Sequence, residues 1–367
     1  MLASIVSFRL GGPDGVSVQA ATWGRALERL GYSLRRVAGE LADGPRPGDV
    51  VVAGLAVAAE AAPGPLGQRP AAPRGPSADE LRAALAGSDL VVVENVLSLP
   101  LHLEAARALT DALAGELRRG VTVLLHHHDF AWQRRETAAI TELPPCLPGA
   151  IHVTINDFSR RELAERGIEA VTVRNAFDLD AGPGRRDETR AALGVGADDL
   201  LVLQPTRAIA RKNIPAALRL AESLAGRLDR PVRFWLPGPA EDGYAATLSA
   251  VLAETTVPVL RDRPATMADA YAASDLVTFP STGGEGFGQP VIESVAAGRP
   301  LAVLRYPALD EILALGFSFL PADDPEAVAA ALRRRDAATM ARNRALAEAH
   351  FSMTALERRL RELLGAR

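Results

Sequence analysis

Short apolar runs bounded by turn residues recur along the chain and alternate with stretches of helical periodicity, which restricts it to an α/β class with parallel sheets buried on both faces. In the first half the runs are Ala3 to Ser7, Ser33 to Val37, Val50 to Ala53, Leu90 to Glu94, Val121 to Leu125, Ile151 to Ile155 and Ala170 to Val173. In the second they are Leu200 to Gln204, Val232 to Leu236, Val257 to Leu260, Leu276 to Phe279, Leu301 to Leu304 and Phe317 to Leu320. Each series suffices for an open sheet of its own. Between them Asp178, Asp180, Gly182, Pro183 and Gly184 interrupt the pattern, so the domain boundary is expected near residue 180. The expected organisation is a domain over 1–180, a second over 181–350 and a last helix over 351–367. The 367 residues agree with two domains.

Composition excludes several function classes. With 41 Lys and Arg against 45 Asp and Glu, the formal charge is −4, which argues against a nucleic-acid partner. Cys146 is the only cysteine, so neither an intramolecular disulfide nor a cysteine-based zinc site is expected, and a reducing cytoplasm is the natural compartment. The opening MLASIVSFRLGG is broken by Arg9 and two glycines and reads as a first strand, not a signal peptide or membrane span. Ala62 to Pro76 carries five prolines and reads as a surface loop. The last helix, from about Met353 to Leu364, puts Leu356, Leu360, Leu363 and Leu364 on one face. Arg358, Arg359 and Arg361 lie largely opposite, a solvated face with at most peripheral membrane contact. Nothing in the sequence fixes the oligomeric state.

The strongest chemical signal is PSTGGEGFGQPVIESVAAG, Pro280 to Gly298, after the run ending at Phe279. Gly283, Gly284, Gly286 and Gly288 allow close backbone approach to a ligand, and Pro290 suits the first turn of a following helix. Free N–H groups and the helix dipole would make an anion site there. Glu285 in the loop and Glu293 about one turn into the helix add carboxylates that phosphate alone does not explain but sugar hydroxyls do. In the second-half loop after Leu200 to Gln204, Arg207 and Lys212 stand at the carboxyl end of a strand, where open α/β sheets place ligands. Two fixed cations could neutralise a diphosphate without a metal.

In the first half, Gly11, Gly12 and Gly15 lie in the loop before a helix starting near Ser17. His126, His127, His128 and Asp129 end the Val121 to Leu125 run. Three successive histidines alternate faces on a strand, so one metal cannot take all three, and no second ligand cluster accompanies them in sequence. His128 beside Asp129 is the candidate for a substrate hydroxyl. Asn156, Asp157, Phe158 and Ser159 precede a helix, with Ser159 and Glu162 spaced as a capping box. Trp132, Arg134 and Arg135 could line an acceptor pocket. GxxxxGK[ST], GxSxG and HExxH patterns are missing, which removes P-loop, hydrolase and zinc-protease readings; the one D-x-D, Asp178 to Asp180, which would suggest a metal-dependent glycosyltransferase, falls in the interdomain linker, so chance explains it better.

GGPDG, HHHDF, NDFS, VRNAF, the Arg207 to Lys212 pair and EGFGQPVIE together resemble the retaining GT-B glycosyltransferases of family 4. The points of likeness span residues 11 to 293, with Asn213 standing where many members carry glycine. The resemblance implies two Rossmann-like domains facing across a cleft and a last helix returning to the first. It implies a nucleotide-sugar donor on the second domain: Arg207 and Lys212 on the diphosphate with backbone around Gly284, Gly286, Phe287 and Gly288, Glu293 on the ribose and Glu285 on the sugar. His128 would touch the sugar, and Gly12 would border the diphosphate. Gly15, Asp129, Trp132, Arg134 and Asn156 would stand toward a small-molecule or lipid-linked acceptor. Catalysis would fall to His128, Glu285, Arg207 and Lys212, with no metal and no cofactor.

Two other activities use the same residues. A sugar-nucleotide epimerase would share the fold and the donor. An NAD-dependent oxidoreductase would rest on GGPDG and on Glu40 as a ribose-binding acid after the second strand, although GGPDG departs from GxGxxG.

Overall fold

A computed structural model of the chain describes residues 1–12, 14–57, 74–134, 137–180, 182, 184–241, 243–283, 285–334 and 336–365. Gly284, Arg135 and residues 62–73 of the proline-rich loop lie outside the described residues. Two compact units partition the chain, Met1–Ala176 with Met353–Arg367, and Phe177–Ser352.

The first unit carries seven strands: β1 (Leu2–Leu10), β2 (Ser33–Leu41), β3 (Val50–Val51), β4 (Leu90–Glu94), β5 (Thr122–His127), β6 (Ile151–Thr154) and β7 (Ala170–Thr172). They lie in the order β3-β2-β1-β4-β5-β6-β7, every pair parallel. In the second unit β8 (Leu200–Leu203), β9 (Val232–Trp235), β10 (Val259–Leu260), β11 (Leu276–Phe279), β12 (Leu301–Val303) and β13 (Leu320–Pro321) take the order β10-β9-β8-β11-β12-β13. These also pair in parallel throughout. The α/β class holds, and every apolar run of the sequence contains or overlaps a strand. The departures are at ends, as at Glu40, which lies within β2 and is exposed.

Alternation along each strand explains why the runs are continuously apolar. Val91 and Val93 of β4 join the core cluster on one face of the first sheet, with Leu109 and Leu113 of the helix Leu103–Arg118. Leu90 and Val92 join the cluster on the other face, with Trp23 and Leu27 of the helix Gly15–Arg29. Leu356 and Leu360 of the final helix, Met353–Leu364, close that second face. Burying each such leucine contributes about 1.5–3 kcal/mol.

The order of each sheet reverses where the strand nearest the start of its series meets the fourth: β1 beside β4, and β8 beside β11. In open parallel sheets that reversal opens a crevice at the carboxyl ends of the strands. The loops after β1 and β4, and those after β8 and β11, are therefore the places to look for chemistry.

Candidate active site

In the second unit, the segment after β8 runs through Arg207 to the short helical turn Ala210–Lys212 and the helix Ile214–Ala225. Asn213 links them at φ 52, a left-handed conformation that only glycine, asparagine and aspartate adopt at low cost. That explains why asparagine can stand where glycine is common. The segment after β11 leads into the helix Pro290–Ala296, with Pro290 at its first turn and Glu293 one turn in. The main chains of the two loops are joined, since the Thr282 N–H donates to the Arg211 carbonyl at 3.0 Å.

Lys212 and Glu285 form the centre of this arrangement. Lys212 Nζ donates to Glu285 Oε1 at 2.6 Å, with the side chains only 10% and 7% exposed. Arg211 donates to the same oxygen, and the Ser281 hydroxyl lies 2.6 Å from it. All three contacts fall on Oε1, so Oε2 has no partner among the described residues. Burial would raise the Glu285 carboxyl, but Lys212 and Arg211 outweigh it and hold it below the ordinary range. Burial lowers Lys212 to about 8 against the opposing pull of Glu285, with Arg211 and Arg207 pushing the same way as burial. The ammonium also sits 4.8 Å from the Phe279 ring centroid, and its own carbonyl accepts from Gln204 Nε2 at 2.8 Å. Arg211, which the sequence did not single out, is thus part of the centre. Arg207 faces outward, half exposed and paired with Glu241 at 2.6 Å.

Glu293 is held similarly by one oxygen: Tyr271 Oη donates to Oε2 at 2.5 Å. Its carboxyl is raised by burial, with the tyrosine bond opposing. Between the two glutamates, Gly288 has φ 83, and a Cβ there would lie 2.2 Å from the Tyr306 hydroxyl. That hydroxyl instead donates to the Phe287 carbonyl at 2.9 Å, fixing the glycine turn. Phe287 is buried against Phe177 and Phe351, so its side chain is a packing element and only its main chain faces the turn. Gly286 lies in the same turn and is half-buried.

In the first unit the residues sort differently. Register pairs Glu94 of β4 with His126 of β5, so the two side chains share a face, and His128 rejoins them two residues on. Glu94 Oε2 lies 2.9 Å from His126 Nδ1 and 2.7 Å from His128 Nε2. Glu94 is fully buried, its Oε1 without a partner. Burial alone would raise this carboxyl, but His126 and His128 hold it at about 2. Asn95 Oδ1 accepts the His128 N–H at 2.9 Å, and Trp23 covers His126 at 4.2 Å between centroids. The sequence shows no second ligand cluster beside the histidines, but in the structure a carboxylate 32 residues earlier than His126 joins two of them. Their ligand-type atoms lie within 4.8 Å of one another, and the hydrogen bonds account for that closeness without an ion. His127 points to the opposite face, in a buried chain with Ser98 (2.5 Å) and His152 (3.0 Å). Glu94 was missed because its run reads as an ordinary strand; a carboxylate ending a strand at the reversal of sheet order was the available signal.

The remaining first-unit candidates take structural partners. Asp14 caps the helix Gly15–Arg29 by accepting from the Ser17 N–H at 3.0 Å and pairs with Arg9 at 3.0 Å. Gly15 is therefore a helix residue, and Gly12 packs beside that cap. Asn156, not Ser159, caps the next helix, Asp157–Glu165, accepting from the Ser159 N–H at 2.6 Å. The capping box is corrected: Ser159 and Glu162 instead face Gln133 Nε2 at 3.1 and 2.6 Å. Asp129 and Arg134 pair with each other at 2.9 Å. The Trp132 ring stacks on Phe130 and carries Arg166 at 4.0 Å. Asp180 of the linker pairs with Arg344 at 2.8 Å.

Known proteins resemble parts or all of this chain. Residues 202–335 match the family described as Glycosyl transferases group 1. A mannosylglucosylglycerate synthase of Thermotoga maritima is 30% identical over 261 residues, 62% of this chain and 59% of that protein. One from Petrotoga mobilis is 26% identical over 274 residues, 62% of each. The matched stretch spans about three fifths of the length of these relatives. Among solved structures, Anabaena HepE in complex with UDP and glucose superposes with a TM-score of 0.71 at 20% identity, covering 100% of both chains. The fold of the chain is GT-B, with a Rossmann-like sheet in each unit. Among the described residues no helix is long and apolar enough to cross a membrane.

Proposed function

We propose that the chain is a retaining, metal-independent glycosyltransferase that moves a hexosyl unit from a nucleotide diphosphate sugar to a small-molecule acceptor. The observation that carries this reading is the pair of glutamates eight positions apart. Each is anchored through one oxygen, Glu285 by Lys212 and Glu293 by Tyr271, and each keeps the other oxygen for a hydroxyl donor. The match to glycosyl transferases group 1 over the same residues supports it. The sugar-bearing relatives, two named for synthesis of mannosylglucosylglycerate and one holding UDP and glucose, support the donor and acceptor classes. No observation favours the epimerase or the oxidoreductase.

In the mechanism, Lys212 and Arg211 offset the charge that grows on the leaving diphosphate, which is worth most in a water-poor site. Arg207 screens it from outside. Glu285 Oε2 orients the sugar hydroxyls and Glu293 the ribose, and the Gly286 to Gly288 turn lets the main chain approach the phosphates. His128, whose Nε2 is committed to Glu94, would offer Nδ1 to the sugar. The acceptor hydroxyl then attacks from the face the diphosphate leaves, with a diphosphate oxygen taking its proton. Cytoplasmic location and independence of added cofactor belong to the same reading. The test is transfer from UDP-, GDP- and ADP-sugars in the presence of chelator, followed by product anomer analysis. An inverted product, or turnover of donor to an isomeric sugar nucleotide with no acceptor, overturns it.

A further inference from the structure

The second unit also carries a cavity at the amino end of its sheet. Its lining includes Arg230 just before β9, Asp275 just before β11 and Arg299 just before β12, the amino ends of parallel strands. The cavity measures ≈ 1310 Å³. Arginines outnumber aspartates around it, and the arginines differ in what they already hold. Arg186 binds Asp275 at 2.6 Å and donates to the carbonyls of Ala272, Ala273 and Ser274. Arg190 binds the other Asp275 oxygen at 3.1 Å and donates to the Ala273 carbonyl as well as to those of Gly196 and Asp199. Asp275 is thereby fully committed. Arg299 has no side-chain partner among the described residues, and its Nε is buried with none. Arg299 is half-buried, and its nearest carboxylate, Asp275, is already shared by two other arginines, so the cation is under-compensated; burial together with Arg186 and Arg190 lowers its pKa against the opposing pull of Asp275.

We propose that this cavity is an anion site for a phosphate-bearing ligand, with Arg299 as its anchor and Arg230 as a second cation. Arg186 and Arg190 hold the anchor's surroundings rigid, because their guanidinium groups are fixed by main-chain carbonyls. The bound phosphate supplies the counter-charge that Arg299 lacks. The site is separate from the donor centre, which lies at the carboxyl ends of β8 and β11.

The test is thermal unfolding of the full chain in rising inorganic pyrophosphate without divalent metal, in wild type, Lys212→Ala, Arg299→Met and Arg230→Gln. A saturable rise in melting temperature that survives Lys212→Ala, is lost in Arg299→Met and is weakened several-fold in Arg230→Gln supports the site. Without anion, Arg299→Met should melt no lower than wild type and up to about 2–4 °C higher, since it removes an under-compensated cation. A pyrophosphate effect that vanishes with Lys212→Ala, persists in Arg299→Met or is missing in wild type overturns the proposal. Co-sedimentation with phosphatidic acid vesicles distinguishes a lipid headgroup from a free phosphate ester as the source.

Discussion

Lys212 Nζ and Glu285 Oε1 stand 2.6 Å apart, so the cation assigned to the leaving diphosphate is already neutralised by the carboxylate assigned to the sugar. Donor binding must share Lys212 between the two rather than recruit a free charge. That sharing keeps the ammonium fixed in position and costs part of its attraction for phosphate.

Lys212→Ala should weaken nucleotide-sugar binding roughly 10–100-fold, the loss of one charge-assisted contact. Arg207→Ala, at a half-exposed position paired with Glu241, should cost less than about tenfold. Isothermal titration with UDP-glucose and GDP-mannose measures both. Unchanged affinity in the two variants would sink the assignment.

Because burial brings Lys212 to about 8, the ammonium deprotonates as pH rises through that value in the free protein. kcat/KM for the donor should therefore fall above about pH 8. In Lys212→Arg, whose guanidinium stays charged, the alkaline limb should move beyond pH 10. A limb that stays at pH 8 in the arginine variant assigns it to another group.

Under the proposed function, Glu94 would position His128 through the bond to its Nε2. Glu94→Gln keeps the size but loses the charge that holds His128 Nε2 in its donor form, so kcat should drop roughly 10–100-fold with donor affinity nearly unchanged. A loss of folded protein with kcat unchanged in what remains folded would reduce Glu94 to a structural role.

Acid should unfold the first unit through its buried histidines. Burial lowers His152 from 6.5 to about 4, and His126 and His127 are lowered by the same cause. The unfolded chain then binds more protons below pH 6.5, so stability is full above 6.5 and falls progressively toward pH 4. His152 alone accounts for roughly 3 kcal/mol of that loss. In His152→Gln, urea midpoints between pH 7 and 4.5 should vary less steeply than in wild type; an equal slope assigns the loss elsewhere.

Much of the architecture was legible because strands buried on both faces announce themselves as apolar runs, as at Leu90 to Glu94 and Leu276 to Phe279, whose bounds match β4 and β11. The glutamate pair was legible because glycine, proline and carboxylate occur together in one segment. Glu94 was not, since its role depends on β4 and β5 lying side by side, a relationship between residues 32 apart. Partner choice was likewise hidden: nothing local says that Arg207 turns to Glu241 while Arg211 turns to Glu285. The cap at Asn156 was missed for a simpler reason, two capping-type residues three positions apart competing for one role.

The chain leaves the first unit after Ala176 and returns to it at Met353. On the ribosome, that means the cluster of Trp23, Leu27 and Leu124 lacks Leu356 and Leu360 of the final helix while the whole second unit is made, about 10–35 s at 5–20 residues per second. The first-made half of the protein is thus the last to be completed. Nascent chains stalled before Met353 should bind a hydrophobic dye at that cluster, and chains extended past Leu364 should not.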